Sequence, residues 1–125
     1  MMVQQQVSVL SAHRDDLSAV MGLEQAGFPV AEQWSERSWL GELLGDGRTV
    51  LIARAHVPVG VISLQPVGEV ADLHRILVSE THRREGIGTA LVVAGLLAVR
   101  HARARSVMLE VAFDNDPAIS LYQRH

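Results

Sequence analysis

The stretch from Ile76 to about Arg103 constrains this chain most. Ile76-Leu77-Val78 is a β-like apolar run, Ser79 to Glu85 is polar, and Gly86 and Gly88 then open a long apolar helix. A strand that runs through such a loop into an apolar helix must pack that helix back onto its own sheet. The arrangement also aims the helix's free N–H groups and positive dipole end at the loop, which makes an anion site. Gly86 and Gly88 let the backbone approach a phosphate closely, and Arg83 and Arg84 add positive charge.

The rest of the chain supplies the sheet. Residues 7–10 read as a short strand, and Ser11 as the cap of a helix through about Ala26, ended by Gly27. A second helix follows Ser35, with Trp39, Leu40, Leu43 and Leu44 on one side and Gly45-Asp46-Gly47 as its stop. The period then changes. Thr49–Ala55 and Val59–Leu64 are strands joined by a hairpin at His56-Val57-Pro58, and Val70–Val78 is a third. Ser106–Ala112, which follows the apolar helix, is a strand expected to lie parallel to the one before that helix. Asp116 caps a last helix, with Pro117 at its first position and Ala118–Arg124 as its body. The fold class is mixed α/β: one domain over residues 1–125, with a mostly antiparallel sheet flanked by helices.

Composition removes several chemistries. With no cysteine among the 125 residues, disulfides, thiolate metal sites and cysteine nucleophiles are excluded. All 11 basic residues are Arg, so a Lys Schiff base is excluded too. The six His residues are scattered at 13, 56, 74, 82, 101 and 125 without metal-site spacing, so no metal is expected. The net charge is −3 and the aromatics are two Trp, two Phe and one Tyr, which argues against nucleic acid as a partner. No apolar run approaches the roughly 20 residues of a membrane span; the expectation is a cytoplasmic protein.

Of two nucleotide motifs, the phosphate-binding P-loop fails, because it needs a Lys that the chain lacks. The dinucleotide fingerprint is a weak match: Leu91 stands where its third glycine belongs, while Glu110 mimics its ribose-binding acid. Glu110 sits in the otherwise apolar or small run SVMLEVA. It is either a strand-edge carboxylate in water or a cleft carboxylate with raised pKa, suited to act as a general base. Tyr122, the only tyrosine, is either a half-buried aromatic or a proton donor. Asp72 is either a strand-edge carboxylate or one that faces a bound acceptor, and His74 and His82, which flank the loop, are either ordinary surface or rim residues or contacts to substrate or cofactor.

Arg83-Arg84-Glu85-Gly86-Ile87-Gly88, preceded by Ile76-Leu77-Val78 and followed by Thr89 and an apolar helix, resembles the acetyl-CoA motif of the GCN5-related N-acetyltransferases (GNAT). The resemblance implies that the loop amides of residues 83–89 hold the CoA pyrophosphate. It implies that the main chain of Ile76, Leu77 and Val78 bonds the pantetheine arm. Leu109-Glu110-Val111, Asn115, Ala118-Ile119 and Leu121-Tyr122 resemble the second signature of the RimI-type enzymes, which acetylate ribosomal-protein N-termini. Trp34-Ser35-Glu36 resembles their substrate-side helix region. By that resemblance Glu110 is the general base, Tyr122 the acid that protonates the departing thiolate, and Asn115 a cofactor contact. Acetyl-CoA is the cosubstrate, and a protein or peptide N-terminus is the acceptor. A small amine, a lysine side chain, or a non-catalytic acetyl-CoA-binding role are the alternatives. Family members continue past the Tyr122 position with Gly-Phe and further strands, so C-terminal strands are expected to be missing here.

Overall fold

The computed structural model describes residues 7–67, 69–83, 85–101 and 106–109. Eight elements follow in order: β1 (Ser8–Ser11), α1 (Leu17–Gly27), α2 (Glu36–Leu44), β2 (Thr49–Ala55), β3 (Val57–Val67), β4 (Val70–Val78), α3 (Ile87–His101) and β5 (Ser106–Leu109). The strands form one sheet in the order β1-β2-β3-β4-β5. The first three pairings are antiparallel; β4 and β5 run parallel, as the intervening helix requires.

Strand alternation splits the core in two. On one face Leu51, Ile62, Leu64, Leu73 and Ile76 pack with Ile87, Leu91, Val92 and Val99 of α3. On the other, Val50, Ile52, Val61 and Leu77 meet Val20 of α1 and Trp39 of α2. Two glycines let α3 sit close. A Cβ on Gly95 would lie 2.9 Å from Leu64 Cδ1, and one on Gly60 would lie 2.8 Å from Leu91 Cδ1 and 3.0 Å from the Leu77 carbonyl oxygen.

The ends of elements differ from expectation in two places. Ser11 does not cap α1: it belongs to β1, opposite Leu51. The chain turns instead through a 3-10 segment at Arg14–Asp16, where Asp16 Oδ2 accepts from the His13 N–H at 2.8 Å. Apolar spacing could not locate that boundary, because two capping-type residues compete within one turn. The β2–β3 connection is also tighter than expected. His56 alone makes the turn, at φ 71, and Val57 and Pro58 already pair with Ala55 and Arg54. The Ser35 cap is as expected, its Oγ accepting from Ser38 N–H at 3.0 Å.

Gly60 seats the start of α3 and therefore the loop before it. Gly60→Ala forces a methyl group against Leu91 and the Leu77 carbonyl, and is expected to cost ~1–3 kcal/mol in urea unfolding. An unchanged unfolding midpoint would contradict the close packing.

Candidate active site

The outer edge of β4 and the start of α3 form one continuous polar track. Ser79 N–H donates to the Val59 carbonyl at 2.7 Å, which makes Val59–Ser79 a hydrogen-bonded pair of the antiparallel ladder. Hydrogen-bonded positions recur every second residue, so Leu77 and Arg75 also bond β3 through Val61 and Ser63. The main-chain groups of Ile76 and Val78 therefore point the other way, to the side on which β5 lies. The described pairing with β5 ends at Leu73–Leu109. Beyond it, the outward N–H and C=O groups of Ile76 and Val78 face no strand among the described residues.

The track continues through the loop. A 3-10 turn at Glu80–His82 leads past exposed Arg83 to Gly86, whose φ of 82 lies in the left-handed region that favours glycine. Ala90 N–H bonds the Gly86 carbonyl at 2.9 Å, closing the first turn of α3. The N–H groups of Ile87, Gly88 and Thr89 are then the ones a helix start leaves without intrahelical acceptors. A Cβ on Gly86 would meet nothing within 4 Å among the described residues. Glu85 is exposed and Ile87 is buried under the helix, so the latter can offer a ligand only its main chain.

Opposite α3, a β-bulge organises the sheet's other face. Leu64 pairs with Leu73 and Ser63 with Arg75, leaving His74 as the extra residue. A bulge turns two successive side chains to one side, and here His74 and Arg75 both reach carboxylates of the helices. Glu24 of α1, with no exposed surface, accepts from Trp39 Nε1 at 2.9 Å, Trp34 N–H at 3.0 Å and Arg75 Nε at 3.1 Å. Arg75 Nη2 also donates to Glu24 Oε2, and to the Glu32 carbonyl at 2.9 Å. The same guanidinium lies 3.7 Å from the Phe28 ring centroid and 4.9 Å from that of Trp34. Glu42 of α2 accepts from Ser63 Oγ at 2.8 Å, His74 Nδ1 at 2.6 Å and Arg48 Nε at 3.0 Å. Burial alone would raise the Glu42 pKa, but the donors His74, Arg48 and Ser63 outweigh it and hold it below its ordinary value of 4.5.

The sequence profile described as the acetyltransferase (GNAT) family matches residues 10–125. The chain belongs to this family. An N-alpha-acetyltransferase of Sulfurisphaera tokodaii is 48% identical over 50 residues, 39% of this chain and 30% of that protein. The chain spans less than half the length of the curated relatives it matches. The Escherichia coli ribosomal-protein-S18-alanine N-acetyltransferase superposes with a TM-score of 0.83 at 25% identity, covering 95% of this chain and 76% of that one. The PaiA N-acetyltransferase of Thermoplasma acidophilum, crystallised with coenzyme A, gives 0.84 at 16% identity over 95% and 87% of the two chains.

Among the predicted site residues of this GNAT chain, the structure brings Ile76, Leu77, Val78, Arg83, Glu85, Gly86, Ile87, Gly88 and Thr89 into the one track. Leu77 differs in role, since its main chain is used by β3. Arg84, Glu110, Asn115 and Tyr122 lie outside the described residues. His74 is half-buried and bound to Glu42. The pairs Glu24–Arg75 and Glu42–His74 were missed because their partners lie 51 and 32 residues apart. The one available signal was a carboxylate on the apolar side of each amphipathic helix.

Removing one partner of a buried ion pair leaves the other charge uncompensated. Arg75→Leu is expected to cost ~3–5 kcal/mol, and Arg75→Leu with Glu24→Leu much less than the sum of the singles; additive losses in urea unfolding would contradict the coupling. Because the Glu42 pKa is lowered on folding, its contribution is present above its ordinary value and lost as the pH falls through the native one. Glu42→Gln should therefore flatten the fall of stability below about pH 4.5; an acid limb identical to that of the parent would contradict this.

Proposed function

We propose that this GNAT chain is an acetyl-CoA-dependent N-acetyltransferase that acts on a protein or peptide N-terminal amine. The observation that carries the reading is the track itself. The outward main chain of Ile76 and Val78 suits the amide-bearing pantetheine arm, and the N–H groups of Ile87, Gly88 and Thr89 suit the pyrophosphate. Arg83 adds charge beside them, and Gly86 turns the backbone there without a side chain of its own. The N-terminal acceptor is supported by the Sulfurisphaera tokodaii relative, an N-alpha-acetyltransferase, and by the Escherichia coli neighbour, a ribosomal-protein-S18-alanine N-acetyltransferase.

In this reading the Val78 N–H donates to the thioester oxygen as charge develops there. Glu110 takes the proton that the amine nitrogen loses on attack. Tyr122 gives a proton to the departing thiolate. Asn115 contacts the cofactor, and Arg84 extends the positive rim. No step asks for a metal.

Calorimetric titration should give one site for acetyl-CoA and none for NAD; binding of NAD instead would overturn the reading. Gly86→Val, which places a branched side chain at positive φ, should abolish that binding. Glu110→Gln and Tyr122→Phe should retain it while lowering turnover by roughly 10²–10⁴-fold, measured as thiol release with a peptide acceptor. Unchanged turnover would remove the residue concerned from the mechanism.

A further inference from the structure

Residues 28–35 join α1 to α2, and burial holds only the ends of that connection. Phe28 and Trp34 pack half-buried against the core on the face opposite α3, whereas Pro29, Val30, Ala31 and Glu32 between them are exposed, Val30 to 86%. A lone 3-10 turn at Val30–Glu32 gives that run local shape but no hold on the sheet. One side chain of β4 supplies the hold. The Arg75 guanidinium lies 3.7 Å from the Phe28 ring centroid and 4.9 Å from that of Trp34, and its Nη2 donates to the Glu32 carbonyl at 2.9 Å. It thus touches the start, the middle and the end of the connection. Glu24, which accepts from Arg75 Nε and Nη2, also accepts from the Trp34 N–H, so the end is held twice.

The connection leaves α1 beside the track. A Cβ on Gly27 would lie 3.4 Å from Leu77 Cδ2, and Leu77 stands between Ile76 and Val78, whose main chain faces outward. Because α3 covers the other face of the sheet, an acceptor that reaches this part of the β4 edge comes in past the connection. Arg75 keeps only 12% of its side-chain surface exposed. It therefore acts on an acceptor through the connection and not by contact.

We propose that Arg75 is a positioning residue for the acceptor: it pins residues 28–34 over β4 as a preformed wall and so sets the acceptor's KM, without taking part in acetyl transfer or cofactor binding. A wall ordered before the acceptor arrives removes the entropy loss of ordering it on binding. The geometry asks for arginine. A planar guanidinium stacks on two rings while its fork bonds Glu24 and a carbonyl; a lysine ammonium in its place keeps a charge for Glu24 but has neither plane nor fork. Gln33 fastens the same segment independently. Its Nε2 donates to the Phe28 carbonyl at 2.8 Å and the Gln25 carbonyl at 3.4 Å, with no bond to Glu24 or β4 among the described residues.

The inference rests on the acetyl-transfer reading, and the test separates the two. Steady-state rates are measured on the full chain with acetyl-CoA and a peptide acceptor, for Arg75→Lys and Gln33→Ala. The peptide KM should rise roughly tenfold in the first and at least about threefold in the second. In both, kcat and the calorimetric affinity for acetyl-CoA should stay within about twofold. A merely structural role would instead lower kcat with the folded fraction and leave KM alone. That pattern, or an acetyl-CoA affinity that weakens in step with the KM rise, overturns the role of Arg75. If Arg75→Lys does not fold, Gln33→Ala decides alone, since it leaves the Glu24–Arg75 pair intact: a KM rise of less than about threefold overturns the proposal. An unsubstituted chain that transfers no acetyl group to any amine overturns the reading beneath it instead.

Discussion

The bulge at His74 is the constraint on which the rest of the molecule depends. One extra residue in β4 sends His74 and Arg75 to the same face, where each meets a carboxylate carried by a different helix. Without those partners the bulge would leave two half-buried polar side chains without hydrogen-bond partners, at a cost of several kcal/mol. With them, α1 and α2 are tied to a single point on the sheet. The bulge also resets the alternation of β4, so that Ile76 and Val78, rather than Leu77, present their main chain outward. The register of the anion track is thus set from the opposite side of the sheet.

Close packing fixes the other end of that track. Gly60 and Gly95 bring α3 against β3 within ordinary contact, and Gly86 turns the loop so that the helix begins immediately after it. Strand edge and helix start are joined by one short loop. A ligand that lies along both meets main-chain donors and acceptors, which side-chain substitution elsewhere leaves intact.

Much of this was legible in the sequence, because local chemistry dictated it. The strand, polar loop and glycines of Ile76–Gly88 announced β4, the turn and the start of α3; Ser35 announced the start of α2; and the helix between Val78 and Ser106 required the parallel pairing. What stayed hidden needed long-range information. Apolar periodicity cannot reveal a bulge, since His74-Arg75 reads as an ordinary polar pair in a strand. It cannot match Glu24 to Arg75 or Glu42 to His74 across half the chain. At Ser11 and His56 the local signals were simply ambiguous by a few residues.

The alternation of β4 is the central claim, and amide hydrogen exchange on the free and acetyl-CoA-bound chain tests it most directly. The account predicts that the Leu77 and Ser79 amides, bonded to β3, exchange slowly in both states. Ile76, Val78 and the three amides at Ile87–Thr89 should gain protection when acetyl-CoA binds. Protection gained equally at Leu77 and Ser79, or gained nowhere along β4, would contradict it.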